Sequence, residues 1–474
     1  MIETSTPSSS SSTATTAGGS FNALPLAPAL LTILQQLEYR TMTPIQAASL
    51  PITLAGHDLI AQAKTGSGKT AAFALPLLTN LNPRRFAVQA MVLCPTRELA
   101  DQVTQEIRRL ARFADNIKIL SLCGGSTMRP QRESLEHGAH IVVGTPGRIM
   151  DHLERGSLKL DALNTLVLDE ADRMLDMGFY DDIAFVVKQC PPRRQTLLFS
   201  ATYPEGIARL ARQFMHKPQE VKLLEQHDSS KIRQRFYEIK HEERLQAVAT
   251  LLKHYRPVST LAFCNTKQQC RDLLDVLQQQ GITALTLNGD LEQRERDQVL
   301  IQFANRSCSV LVATDVAARG LDIAQLEAVI NVDVTPDPEI HIHRIGRTGR
   351  ADEEGWALSL ASPADMHRVS NIAKMAGSEP EWHTLGALQS GNNAPLVPPM
   401  VTLQILGGRK EKIRPGDVLG ALTGEAGFTR EQIGKITVTD QSTYVAVTRD
   451  IAREAVRRLS AGKVKGKTVK VRAL

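Results

Sequence analysis

The sequence predicts an α/β protein: two parallel-sheet domains in tandem, then a small split-βαβ module. Three observations predict it. Short apolar runs alternate with amphipathic stretches from residue 21 to residue 385, as in repeated βαβ units. The alternation lapses at the polar stretch Glu225–Ser230 and restarts over a similar length. After Gly386–Pro399, rich in Gly, Asn and Pro, the order becomes β-α-β-β-α-β. A chain of 474 residues is too long for one core, which agrees with this division.

The elements follow in order. Residues 1–20 are Ser/Thr/Ala/Gly-rich, with no basic n-region or apolar h-region, and read as a disordered tail rather than a secretory signal. In residues 21–224, strands are expected at 58–61, 90–94, 140–143, 165–168 and 195–199, with a helix at 98–113. In residues 231–385 the corresponding runs are 232–240, 260–264, 284–287, 310–313 and 328–332. Residues 386–399 read as a linker. Residues 400–474 give strands at 401–406, 434–438, 443–447 and 468–472 and helices at 415–423 and 450–460. Runs that end in polar turns imply sheets buried on both faces, with ligands at the carboxyl ends of the strands.

Composition excludes several classes. With 42% hydrophobic and 22% charged residues the chain is ordinary for a globular protein, and no apolar stretch approaches the roughly 18 residues of a membrane span. Its six scattered cysteines lack zinc or disulfide spacing and fit a reducing cytoplasm. Met400–Leu474 holds fifteen Lys/Arg against seven Asp/Glu, a balance of +8, so the first 399 residues sum to −2 of the total +6. That excess favours a polyanion partner at the C-terminal segment. A solvated basic surface is the competing reading.

The chemistry is concentrated in a few motifs. Ala63-Lys64-Thr65-Gly66-Ser67-Gly68-Lys69-Thr70 has the pattern of a phosphate-binding loop, whose backbone N–H groups surround phosphate oxygens at a helix N-terminus. Lys69 would reach the β/γ phosphates and the Thr70 hydroxyl would ligate Mg2+. Asp169-Glu170-Ala171-Asp172 closes the apolar run Leu166–Leu168. Asp169 is the candidate magnesium partner and Glu170 the candidate general base. Farther on, His343-Arg344-Ile345-Gly346-Arg347-Thr348-Gly349-Arg350 follows a late strand. Arginines three apart on a helical turn share one face, so Arg347 and Arg350 could meet a terminal phosphate together when the two domains close. A salt-bridged helix is the alternative. Phe21 could stack on adenine while the Gln46 amide pairs with its N6 and N7.

These residues resemble the DEAD-box ATP-dependent RNA helicases. The resemblance runs from Phe21 to about Ser362, with the motifs in order. Residues 38–46 (Glu-Tyr-Arg-Thr-Met-Thr-Pro-Ile-Gln) are similar to the adenine-reading motif, with Phe21 upstream. Glu38 stands where glycine is usual, and Met42 where proline is usual. The resemblance implies two RecA-like domains clamping ATP and RNA. It places Pro95, Arg97, Gly125, Thr145 and Arg148 on the RNA backbone in the first domain, and Thr266, Gln293, Arg296 and Thr314 in the second. It makes Asp322 a ribose partner and makes Ser200, Thr202 and His343 couple hydrolysis to strand separation. RNA would be held by phosphates and 2′-hydroxyls, and unwinding would be local.

The C-terminal segment is similar to the RNA-recognition module of the DbpA-like branch, which implies a structured hairpin of ribosomal RNA and large-subunit precursors as partners. The segment holds only Phe428 and Tyr444 as aromatics, so a charged edge is expected to bind: Arg409, Lys410, Lys412, Lys463, Lys465 and Lys467, with Tyr444 as the one stacker. A sheet tyrosine with a wet hydroxyl competes for Tyr444. Two further readings stand beside an RNA helicase: an ATP-gated RNA clamp with little unwinding, and a DNA helicase.

Overall fold

The computed structural model describes residues 19–63, 66–125, 127–223, 232–318, 326–349, 354–388 and 395–474. Residues 1–18 of the expected tail, and the site residues Thr65, Asp322 and Arg350, lie outside the described residues. The chain divides into two compact units near residue 225.

The first unit holds β1 (Leu59–Gln62), β2 (Ala90–Leu93), β3 (Ile119–Leu122), β4 (Ile141–Gly144), β5 (Thr165–Leu168), β6 (Gln195–Ser200) and β7 (Gln219–Lys222). They form one parallel sheet in the order β3-β4-β2-β5-β6-β1-β7. Residues of β2, β4, β5 and β6 are buried throughout, because helices cover both faces and leave no polar side for alternation. Two apolar clusters fill those faces, one around Phe73 and Phe199, the other around Leu166 and Met174. The sequence did not announce β3 or β7. Both are edge strands, and Gln219-Glu220-Val221-Lys222 offers a single apolar side chain.

The second unit repeats the plan. Its strands are β8 (Ile232–Glu238), β9 (Thr260–Phe263), β10 (Ala284–Leu287), β11 (Val310–Ala313), β12 (Ala328–Asn331), β13 (Gly355–Ala361) and β14 (Trp382–His383). They pair in parallel in the order β10-β11-β9-β12-β13-β8-β14. Strand β13 was not expected, since Gly355, Ala357, Ser359 and Ala361 weaken its apolar run. Part of the expected linker belongs to this body. Leu396 bridges to Ile282 and is buried in the second core, against which Leu385 and Leu388 also pack. Three leucines in a Gly/Asn-rich run are enough to dock it.

The C-terminal module has β15 (Met400–Leu406), β16 (Ile433–Val438), β17 (Ser442–Thr448) and β18 (Lys470–Ala473), antiparallel in the order β16-β17-β15-β18. The expected β-α-β-β-α-β order is present, with helices Pro415–Gly420 and Ala452–Ala461. Leu403, Ile405, Val445 and Val447 face those helices. The opposite face is also buried at Thr402, Gln404, Tyr444 and Ala446. There Thr402 Oγ1 accepts from Asn305 Nδ2 at 3.1 Å and bonds Ser307 Oγ at 2.6 Å, and Met400 N donates to Arg306 O. The module therefore packs on the second sheet domain. No helix among the described residues is long and apolar enough to cross a membrane.

Candidate active site and nucleic-acid interface

The phosphate-loop motif leaves β1 at the carboxyl edge of the first sheet. Ala63 N donates to Ser200 O at 3.0 Å, and the loop ends at Gly68, from which the helix Lys69–Thr79 starts. Gly68 has φ +93, and a Cβ there would lie 2.6 Å from Gln46 Nε2 and 2.8 Å from Thr43 Oγ1, so glycine alone fits. Lys69 is buried and donates from Nζ to Ala63 O at 3.0 Å. Gly66, Gly68, Lys69 and Thr70 line a cavity of about 320 Å³ with Gln46, Asp169 and Glu170. Ser67 lies between Gly66 and Gly68, half-buried.

The four residues after β5 divide the labour. Asp169, Glu170 and Asp172 are all buried. Burial raises the Asp169 carboxyl to about 6; Lys69 opposes that rise, and the negative charges of Glu170 and Asp172 add to it. Glu170 sits in a left-handed conformation (φ +50) as N-cap of the helix Ala171–Asp176, and Arg173 Nη1 meets its Oε2 at 2.5 Å. Asp172 Oδ2 accepts from Ala201 N, Thr202 N and Thr202 Oγ1 at 3.2, 2.9 and 2.9 Å, and Ser200 Oγ accepts from Asp172 N at 3.3 Å. Ser200 and Thr202 are thus tied to the acidic turn itself.

Gln46 is buried, and its amide joins two loops: Oε1 accepts from Thr43 N at 2.9 Å and Nε2 donates to Gly68 O at 3.1 Å. One N–H and one lone pair remain for a base. Phe21 is buried edge-on to Tyr39, ring centroids 6.2 Å apart, beside a cavity of about 140 Å³. The Tyr39 hydroxyl donates to Glu106, and burial with that carboxylate pushes the phenol pKa up.

The expected RNA residues of the first domain gather at the same sheet edge. Pro95 and Arg97 follow β2, Gly125 (φ +76) follows β3, and Thr145 caps the helix Pro146–Glu154 after β4. Arg148 Nη1 donates to Gln131 Oε1 at 3.0 Å, and Gln131 Nε2 donates to Cys123 O at 2.9 Å, which ties the helices after β3 and β4 to the turn at Cys123.

In the second unit Thr266 caps the helix after β9 and accepts from Gln269 N at 3.1 Å. Thr314 follows β11. Arg296 Nη2 donates to Ala317 O at 2.7 Å, and Gln293 Nε2 donates to Asp297 Oδ1 at 2.7 Å. His343 is half-buried on the helix Pro338–Ile345. That helix corrects one expectation: it closes at Gly346, so the buried Arg347 lies in the following turn and the shared helical face does not extend to it.

Two basic loops of the C-terminal module come together. Lys465 Nζ donates to Lys412 O and lies 3.8 Å from Asp417, while Arg409 approaches Asp440 at 3.6 Å. Lys410, Lys463 and Lys467 are exposed on the same two loops. Tyr444 is a correction. Only 3% exposed, its ring lies on the sheet face turned to the second domain, and its hydroxyl accepts from Gln404 Nε2 at 3.3 Å, so no face is open to a base.

Sequence reasoning missed Asp172, Arg173, Tyr39, Glu106 and Gln131, which the structure joins to the expected site residues or to one another. Asp172 and Tyr39 stood inside quoted motifs, so their spacing could have flagged them. Gln131 and Glu106 carry no local signal.

Comparison with known proteins agrees with this geometry. The DEAD/DEAH box helicase family matches residues 43–210, the helicase conserved C-terminal domain 243–352, and the DbpA RNA binding domain 402–473. The chain is 52% identical over 459 residues to the ATP-dependent RNA helicase DbpA of Escherichia coli (strain K12), covering 97% of this chain and 100% of that protein. It is 45% identical to the ATP-dependent RNA helicase CshA of Listeria monocytogenes, covering 70% and 64%. The solved structure of S. cerevisiae Dbp5 bound to RNA and ADP BeF3 is similar with a TM-score of 0.69 and 32% identity, covering 77% of this chain and 96% of that one. Taken with the phosphate loop, the acidic turn and the basic C-terminal module, these matches establish that the chain belongs to the DEAD-box ATP-dependent RNA helicases of the DbpA type.

Proposed function

We propose that this RNA-stimulated ATPase separates short RNA duplexes locally, and that its C-terminal module tethers it to a structured hairpin of ribosomal RNA during large-subunit assembly in the cytoplasm. The observation that supports it best is the cluster of Lys69, Asp169 and Glu170 around one cavity, with Asp172 bonded to Ser200 and Thr202. Glu170 would take a proton from the attacking water, and Lys69 would hold the terminal phosphates. Asp172 would carry the change at the phosphate to β6 and onward to Pro95, Arg97, Gly125, Thr145 and Arg148. Arg347 and Arg350 would supply guanidinium groups from the second domain.

The residues present fit Mg2+. Thr70 and Asp169 offer hard oxygen donors in the same cavity, and no group of three or more metal-binding side chains occurs among the described residues. Such a sparse set suits an ion shared with phosphates and water. The ion would neutralise charge on the phosphates during hydrolysis. The ribosomal reading extends the resemblance of the C-terminal module to the DbpA RNA binding domain, and the paired loops around Lys412 and Lys465 offer the cations it needs.

The test is strand displacement on a short duplex with ATP and with a non-hydrolysable analogue, run on RNAs with and without a ribosomal hairpin. Displacement only with ATP and preferential stimulation by the hairpin are expected. Tight ATP-dependent binding without displacement would establish a clamp instead, and equal stimulation by DNA would remove the RNA assignment. Deleting Met400–Leu474 should leave weak general stimulation and abolish the hairpin preference; preference that survives the deletion refutes the tether.

A further inference from the structure

Phe86 is the most exposed aromatic among the described residues, at 58%, and its surroundings hold it there. It precedes β2, whereas the phosphate-loop, acidic-turn and first-domain RNA residues follow their strands. In a parallel sheet those are opposite edges, separated by more than a four-residue strand of roughly 13 Å. RNA held at the carboxyl edge therefore does not reach it.

The loop beneath Phe86 is rigid. Gln89 Oε1 accepts from Asn82 N at 2.9 Å, and its Nε2 donates to Asn82 O and Arg85 O at 2.9 and 2.8 Å. His140, fully buried, accepts at Nδ1 from Lys118 N, so its Nε2–H donates to Pro83 O at 3.0 Å. The His140 ring then backs Phe86, centroids 4.9 Å apart. Gly138 completes the seat: φ is +81, and a Cβ there would lie 3.3 Å from Phe86 Cβ.

Basic side chains outnumber acidic ones around this ring. In the loops that precede β4, β2, β5 and β6, Arg84, Arg85, Arg155, Lys159 and Arg193 are exposed, against Asp161 there and Glu136 and Glu154 at the ends of the helices that lead in. Asn164 Nδ2 reaches Asn80 O, so the loops before β2 and β5 adjoin. A fixed aromatic ring among guanidinium groups is a stacking platform with phosphate partners on either side. Because its base is already ordered, little side-chain freedom is lost on binding.

We propose that this edge of the first domain is a second RNA-contact surface, in which Phe86 stacks an unpaired base of the RNA flanking the segment held at the carboxyl edge and Arg84 and Arg85 bind its phosphates. The exposed pair Arg84 and Arg85, directly beside the ring, favours a polyanion over a protein partner.

The test uses the full-length chain and RNA-stimulated ATPase with two RNAs: a ribosomal hairpin with long single-stranded flanks, and a single strand of about ten nucleotides. Phe86→Ala should raise the half-activating concentration of the long RNA about tenfold and leave kcat and the short-strand response unchanged. Phe86→Trp should restore it. An Arg84→Glu, Arg85→Glu double variant should reduce the salt slope for the long RNA by about 1.4. An unchanged half-activation by the long RNA, equal weakening with both RNAs, or failure of Phe86→Trp to rescue would each overturn the proposal. A short-strand response kept at parental level separates failure of this surface from failure of the helicase reading.

Discussion

The two seven-stranded sheets share one strand permutation and bury different charges at their carboxyl edges. The first holds three buried carboxylates, Asp169, Glu170 and Asp172, beside Lys69; the second holds Arg244 and Arg344. Their bonding differs as well. Arg344 spends all five N–H donors inside its own domain: Nε and Nη2 on Asp315 at 2.7 and 2.6 Å, Nη1 on Asn331 and on Asp333 O, Nη2 again on Asn265. Arg244 bonds Val332 O, Leu360 O and Asp365. Lys69 makes one such bond among the described residues, to Ala63 O. A buried charge saturated as Arg344 is serves as framework, whereas an unsaturated one such as Lys69 has capacity left for a ligand.

The sharpest way to break this comparison is to remove chemistry without removing fold. Glu170→Gln keeps the volume and a partner for Arg173 but takes away the carboxylate proposed as the base. RNA-stimulated kcat should fall about 10²–10⁴-fold with the thermal midpoint nearly unmoved. Full turnover would show that Glu170 is only a helix cap. Lys69→Ala should also abolish turnover, and normal turnover in it would overturn the phosphate-loop assignment.

Arg344→Ala tests the other side. It strands the Asp315 carboxylate in a half-buried site and should destabilise the second domain by about 3–5 kcal/mol, read as an earlier urea transition for that unit. An unchanged unfolding midpoint with lost ATP affinity would make Arg344 a ligand group and erase the contrast.

A third experiment uses pH. His341 is buried next to Arg344 and stacked on Phe236 (ring centroids 6.0 Å, 20°), with neither ring nitrogen bonded among the described residues. Burial first, then the Arg344 charge, lowers its pKa to about 4. Between that value and the unfolded pKa near 6.5 the unfolded chain binds a proton that the folded chain refuses. Stability is therefore whole above about 6.5 and falls as the pH drops, by about 2 kcal/mol at pH 5. His341→Phe should flatten that acid limb in urea titrations at pH 7 and 5. An unchanged slope would mean the ring is protonated or solvated in the folded state.

The contrast also shows what a sequence can and cannot reveal. Most central strands were legible because burial on both faces writes Leu166-Val167-Leu168 in apolar letters; β13 was not, because Gly355, Ala357, Ser359 and Ala361 dilute its run. Edge strands such as β7 lack that constraint. Lys69 and Asp169 were legible because phosphate and metal chemistry fixes residue type and spacing together. Gln131, which joins Arg148 to Cys123 O, could not be read, since its partners are distant in the chain. Tyr444 was misjudged for a related reason: strand position is written locally, but the Asn305 and Ser307 contacts that orient its sheet face are not.

The smallest predicted effect concerns the first unit, where left-handed backbone conformation supports the nucleotide side. Glu38 has φ +62 at the residue after the C-cap of the helix Pro28–Gln36. Glu38 N donates to Gln35 O at 3.0 Å and Tyr39 N to Leu34 O at 2.9 Å, the two bonds of a Schellman motif. That motif favours glycine at this position, and this chain departs from it at a cost of about 1–2 kcal/mol of steric strain. Glycine recovers the strain and gives back part of it as chain entropy, so Glu38→Gly should stabilise the first unit by about 0.5–1 kcal/mol. The turn also delivers Tyr39 to Glu106 and Phe21, so KM for ATP should stay at the parental value if geometry is kept. A lower urea midpoint for Glu38→Gly would mean that the Glu38 side chain contributes more than its backbone costs.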